Sequence, residues 1–202
     1  MSVPVEEILE HYEYDPQRVE RVATRRVPQS LEIVEPDADW PRRFDEVRAR
    51  IEAALGPTAV AVAHAGSTSV PGLPAKDCID VDLTVPDARD EAAYVAPREA
   101  AGLQFLLREP AWHQHRFFCQ DRPYAVNLHV WGPACPEVER HRIFRDWLRR
   151  EPAERALYAR AKREASEAAA RADESVMDYN LRKERTIRDI LHRAFRDLGY
   201  LD

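Results

Sequence analysis

His64-Ala-Gly-Ser-Thr-Ser-Val-Pro-Gly-Leu-Pro-Ala-Lys-Asp-Cys-Ile-Asp-Val-Asp-Leu-Thr-Val85 is the stretch on which the reading of this chain turns. Its second half alternates like a strand: Ile79, Val81, Leu83 and Val85 fall on one face, and Asp80, Asp82 and Thr84 on the other. Two carboxylates at i and i+2 of a pleated strand point the same way, a few ångströms apart. Like charges that close need a cation or a shared proton between them. Mg²⁺ (or Mn²⁺) held by carboxylates and substrate phosphates is the ordinary solution, which makes Asp80 and Asp82 the candidate metal ligands. A plain solvated strand face is the alternative.

The first half of the stretch favours the chemical reading. Gly66 permits close backbone approach, and Ser67, Thr68 and Ser69 offer hydroxyl and amide donors of the kind that cradle phosphate. A Walker A loop is excluded, because five residues separate Gly66 from Gly72 and Leu73 comes after the second glycine. Lys76 comes too late for that motif.

Working outward, 202 residues suit one domain of ordinary size. A formal net charge of -6 argues against general nucleic-acid affinity. Cys78, Cys119 and Cys135 are odd in number and form no Cys-x-x-Cys pair, which points away from a disulfide framework and toward a reducing, cytoplasmic setting. No apolar run reaches membrane-spanning length, so no membrane partner is expected.

Residues 1–30 read as a charged arm with a short amphipathic turn at Val5, Ile8 and Leu9, to which no chemistry is assigned. Residues 31–202 read as one domain, with a sheet core over 31–135 and helices over 136–202. Leu31–Pro36 is expected as a short strand. Asp39 is expected to cap a helix whose Trp40, Phe44, Val47, Ile51 and Leu55 recur at helical spacing and stop at Gly56-Pro57. A strand over Ala59–His64, a helix between Asp87 and Gly102 and a strand over Leu103–Leu107 come next. His115–Cys119 and Tyr124–Trp131 read as a hairpin, with Asn127 and His129 on one polar face of its second arm. His113 and His115 share a face if that segment is extended. From Glu137 on, three helices are expected.

Several motifs in order resemble the GrpB (UPF0157) family: Gly66-Ser-Thr-Ser-Val-Pro-Gly-Leu-Pro-Ala-Lys76, Ile79-Asp-Val-Asp82, Asn127-Leu-His-Val130, Phe144-Arg-Asp-Trp-Leu148, Tyr158-Ala-Arg-Ala-Lys162 and Tyr179-Asn-Leu-Arg-Lys183. The resemblance spans about residues 31–196. It implies an α+β fold of the nucleotidyltransferase (polymerase-β-like) kind, a mixed β-sheet flanked by helices with a C-terminal helical region. It further implies that Gly66-Ser67 opens a helix against a triphosphate. Asp80 and Asp82 would bind Mg²⁺, and Lys76, Arg145, Lys162 and Lys183 would neutralise phosphates. The implied activity is Mg²⁺-dependent transfer of a nucleotidyl group from a nucleoside triphosphate to a hydroxyl of an unknown small-molecule or protein acceptor. In place of the third carboxylate of such transferases stand Asn127 and His129, a neutral pair that either completes a one-metal site or leaves His129 as the candidate general base. An acid from elsewhere in the fold, Asp121 or Glu109 for example, would make up the deficit if it reached metal-ligand distance of Asp80. The alternative is a nucleotide sensor on the same scaffold.

Overall fold

The alternation of Cys78–Thr84 becomes a central strand because every second side chain has an apolar layer to enter. A computed structural model describes residues 3–172 and 174–202. The elements, in order, are α1 (Val5–Leu9), β1 (Glu20–Arg21), α2 (Trp40–Leu55), β2 (Ala61–Ala65), β3 (Cys78–Thr84) and α3 (Val95–Ala100). They continue with β4 (Gln104–Glu109), β5 (His115–Gln120), β6 (Ala125–Trp131), α4 (Pro136–Arg150), α5 (Pro152–Ala172) and α6 (Val176–Asp197). One sheet has the order β1-β4-β5-β6-β3-β2. It is mixed: β3 and β6 run parallel, and the other neighbours antiparallel. The fold is therefore α+β, a mixed sheet flanked by helices with three helices at the C-terminal end.

The two faces of the β3–β6 pair differ sharply. Ile79, Val81, Leu83, Val126, Leu128 and Val130 are all sealed from solvent and pack against Trp40, Phe44, Val47, Ile51 and Leu55 of α2. At about 1.5–3 kcal/mol for each large apolar side chain buried, this layer fixes the register. The register in turn sets Asp80 opposite Asn127 and Asp82 opposite His129 on the other face. Beyond that face, Val70 and Leu73 pack with Leu148 of α4, Tyr158 and Ala159 of α5 and Ile190 of α6. The start of α6 is fixed by a capping box in which Ser175 and Asp178 exchange hydrogen bonds with each other's backbone.

Several local expectations are corrected. The sheet begins before residue 31, because Glu20 and Arg21 pair with Arg108 and Leu107 at its edge. Those two residues are charged and exposed, so no alternation marks them as a strand. Leu31–Pro36 forms only a single bridge, Val34 to Ala75. The Asp39 carboxylate does not cap α2 but takes hydrogen bonds from Arg42, while Asp37 accepts from the Asp39 N–H. Between Asp87 and Gly102 only Glu91–Ala93 and Val95–Ala100 are helical. His113 sits in a turn at φ 48°, exposed, and shares no strand face with His115.

Candidate functional site

Gly66 ends β2 and turns the chain at φ 63°, a left-handed conformation that suits glycine. Space makes the same demand, since a Cβ there would lie 2.1 Å from Asp80 Oδ2. The turn thus lies directly against the first acid. The helix that the resemblance implied after Gly66 is a single 3₁₀ turn over Ser67–Ser69. Its buried hydroxyls face inward: Thr68 Oγ1 donates to Cys78 O and lies 3.0 Å from His64 Nε2, and Ser69 Oγ donates to Gly66 O. Thr68 and Ser69 therefore hold the turn, and Arg149 of α4 fastens it from outside by donating twice to Ser69 O, at 3.1 and 2.6 Å.

The two acids have separate surroundings. Asp80 Oδ1 accepts from Asn127 Nδ2 at 2.8 Å. Asn127 Oδ1 in turn accepts from Arg25 of the arm, whose guanidinium also rests over the Phe117 ring at 5.6 Å. Asp82 is 2% exposed, and both its oxygens are engaged, Oδ1 by Trp131 Nε1 at 2.9 Å and Oδ2 by His141 Nδ1 at 2.8 Å. Burial pulls the His141 pKa down, but the Asp82 carboxylate outweighs it and raises it to about 9. Burial likewise opposes ionisation of Asp82, and the His141 charge and hydrogen bond hold its pKa below the usual carboxylate range. The pair is an imidazolium–carboxylate ion pair at neutral pH.

That arrangement bears on the expected Mg²⁺ or Mn²⁺. A carboxylate can accept a hydrogen bond and ligate a metal at once, but a hard divalent ion is drawn to carboxylates whose charge no protein cation already balances. The Asp82 charge is balanced by His141, and among the described residues no group of three His, Cys, Asp or Glu side chains is placed to hold a metal ion. As folded, the acid pair does not fit a metal clasped between two carboxylates. His141 supplies the positive charge that Asp82 requires.

Positive charge gathers instead around Asp80. Lys76 Nζ lies 4.8 Å from the centre of the Tyr179 ring and Lys183 Nζ 5.1 Å from the same ring. Lys162 Nζ lies 4.8 Å from the Tyr158 ring and donates to Pro74 O. These three come from the loop before β3, from α5 and from α6, and they are the only lysines in the chain, whose other cationic side chains, histidines apart, are arginines. Among the described residues none of the three has a carboxylate within ion-pair distance. Burial first, and neighbouring ammonium groups second, lower the Lys162 pKa to about 6. Burial lowers Lys183 to about 8 and, with the Lys183 charge, lowers Lys76 as well, while Asp80 raises all three. The cluster is short of anions.

Arg145, expected beside the lysines, lies apart from them. Its guanidinium pairs with Asp146 and donates to His64 O, and it lines a cleft of about 130 Å³ with His64, Asp82, His141 and Arg142. The expected base His129 lies across from Asp82, its Nδ1 2.9 Å from His115 Nε2, and His115 Nδ1 is 2.7 Å from Glu109 Oε2. Glu109 thus reaches the site through two imidazoles rather than at Asp80. Asp121 faces Arg25 at 3.8 Å. Sequence reasoning missed Arg25, His141 and the Glu109–His115 link. Arg25 and His141 sit in arginine-rich stretches that carry no local signal, whereas His115 stands out as one of two neighbouring histidines and Glu109 as a candidate third acid, without any sign that the two are joined.

The family described as "GrpB protein" matches residues 30–193 of this chain. The UPF0157 protein BH1888 of Halalkalibacterium halodurans is 41% identical over 165 residues, which cover 82% of this chain and 83% of that one. A dephospho-CoA kinase of Mycolicibacterium paratuberculosis is 30% identical over 200 residues, covering 86% of this chain and 48% of the kinase, so the similarity spans about half of that protein. Among solved structures, conserved protein GrpB from Enterococcus faecalis matches with a TM-score of 0.71 at 24% identity, over 83% of this chain and 99% of that one, a likeness of fold. The arm before residue 30, with Arg25, lies outside the family match. On the extent of that match and the identity of its relatives, the chain belongs to the GrpB (UPF0157) family.

Proposed function

We propose that this protein binds a nucleoside triphosphate on Lys76, Lys162 and Lys183 and transfers its nucleotidyl group to a hydroxyl acceptor, with His129 as the base. One observation carries the reading: all the lysines of an arginine-rich protein converge near Asp80 and the Gly66 turn, with no carboxylate at ion-pair distance among the described residues. An ammonium is a compact charge whose pKa responds to burial, whereas a guanidinium stays charged. A polyphosphate entering this cluster would meet lysines that gain protons and strength as it binds. The lysines would then neutralise charge that develops on departing pyrophosphate. The dephospho-CoA kinases give indirect support, since their name assigns a nucleotide-handling reaction to proteins about half of which resembles this chain.

The occupied state of Asp82 favours a second reading, a nucleotide sensor that binds without transfer. Calorimetric titration with ATP, GTP, CTP and UTP in EDTA and in Mg²⁺, with a pyrophosphate-release assay on hydroxyl acceptors afterwards, separates the two. Binding that survives EDTA and is lost in Lys183→Ala supports the site. Pyrophosphate release selects transfer over sensing. Absence of binding by all four nucleotides overturns both.

A further inference from the structure

His129, His115 and Glu109 form an unbroken hydrogen-bonded chain across three strands, of which the proposed reaction uses only the first member. Each of its two links, 2.9 Å between His129 Nδ1 and His115 Nε2 and 2.7 Å between His115 Nδ1 and Glu109 Oε2, holds one proton. The proton positions are therefore linked. When Glu109 is ionised, His115 donates to it from Nδ1 and keeps a lone pair on Nε2. His129 must then donate from Nδ1, which leaves its own Nε2 a base. When Glu109 is protonated, both donors reverse and His129 Nε2 carries hydrogen. That Nε2 makes no hydrogen bond among the described residues and is not one of the sealed, unpartnered polar atoms. It is the open end of the chain, on the strand face shared with Asn127 and opposite Asp82. The closed end is sealed: His115 and Glu109 are buried, and the Trp131 and Trp112 rings lie 4.3 and 4.9 Å from that of His115.

We propose that His115 and Glu109 are positioning residues that fix His129 as the base and receive, by relay, the proton it removes. The inference rests on the transfer reading of the site. In the step, the acceptor hydroxyl gives its proton to His129 Nε2 as its oxygen bonds to the α-phosphorus and the bond to pyrophosphate breaks. The Nδ1 proton of His129 passes to His115 Nε2, and the Nδ1 proton of His115 passes to Glu109. Both imidazoles end neutral, and the carboxylate ends as the acid.

The surroundings suit that direction. Burial lowers His129 to about 4 and His115 to about 3, so neither holds an extra proton at neutral pH. Burial raises Glu109 to about 7, which makes it the resting place. Asp82 and Asp80 of β3 favour charge on His129, and Asp82 also favours it on His115; His141 of α4 opposes both, and Arg116 of β5 opposes charge on His115. Tyr12 of the arm is the remaining titratable group near Glu109. A base of pKa near 4 is weak; a relay that ends on a carboxyl near 7 is matched to neutral pH.

The test is a two-bond ¹H–¹⁵N spectrum of the full chain with ¹⁵N-labelled histidine, recorded between about pH 5.5 and 8.5, a range that brackets the Glu109 value. The expected result is that His115 and His129 both change tautomer, from Nε2–H at low pH to Nδ1–H at high pH, with one shared midpoint near 7. In Glu109→Gln that switch should vanish, and any pyrophosphate release should fall at least roughly tenfold and lose its dependence on pH near neutrality. A wild-type spectrum without a tautomer change overturns the relay even if the Gln variant fails to fold. Because the spectrum needs no nucleotide, a relay that is present in a protein without turnover would count against the transfer reading and not against the relay.

Discussion

Gly66 and His141 show how single residues set this site. Gly66→Ala would force a Cβ into Asp80 at a positive φ, so the turn or the acid must move. A loss of about 2–4 kcal/mol in stability, read by thermal denaturation, and at least a roughly tenfold loss of nucleotide binding are expected. For His141 the sign comes from a pKa raised from 6.5 to about 9. Its stabilisation is complete below the unfolded value and is lost as pH rises through the folded one. The stability difference between wild type and His141→Gln, read by denaturant titration, should therefore shrink between about pH 6.5 and 9, by no more than about 3 kcal/mol, while the lowered lysine values act in the opposite direction in both proteins. The difference should be largest near pH 6, where His141→Gln leaves Asp82 buried without its cation. A difference between the two proteins that stays the same from about pH 6.5 to 9 would show that the ion pair contributes nothing to folding.

At the scale of elements, the site depends on β6 lying in register with β3. Leu128 is fully buried on the apolar face of β6, between Asn127 and His129 on the other. Leu128→Ala should cost about 2–5 kcal/mol and weaken nucleotide binding, although Leu128 touches neither acid nor lysine. Denaturation and calorimetry on the same variant check both parts. This element was legible in the sequence, because alternation over Ile79–Val85 and Tyr124–Trp131 reports burial directly. So was α2, whose Trp40, Phe44, Val47, Ile51 and Leu55 are all core. The single bridge at Val34 and the two-residue β1 were not legible, since neither buries a periodic row. The partners of the acids were the hardest to foresee. Asp82 and His141 are 59 residues apart, and nothing local in an arginine-rich helix distinguishes a histidine that caps a buried carboxylate from one facing water.

Over the whole molecule, the arm is part of the fold and reaches the site. Ile8 is buried with Ile143, Leu191, Ala194 and Phe195, and Arg140 donates to Ile8 O from α4. Further along the arm, Arg25 secures Asn127 and through it Asp80. Removal of residues 1–29 should lower the melting temperature by roughly 10 °C, the equivalent of about 3 kcal/mol in a chain of this size. Arg25→Ala should leave the melting temperature nearly unchanged but weaken nucleotide binding, since it removes a cation and frees the Asn127 amide. A truncated chain as stable as the full one would show that the arm is not part of the folded unit. Whether the lysine cluster is an anion site for nucleoside triphosphates is tested most directly by ¹³C-dimethylation of the lysines and a pH titration by NMR. The chain has only Lys76, Lys162 and Lys183, so apart from the N-terminal amine every signal reports on the site. Lys162 should titrate near 6 and Lys183 near 8, and a bound triphosphate should move all three signals and raise those values. Three lysines that titrate at the ordinary 10.5 and respond to none of the four nucleotides would contradict an anion site here.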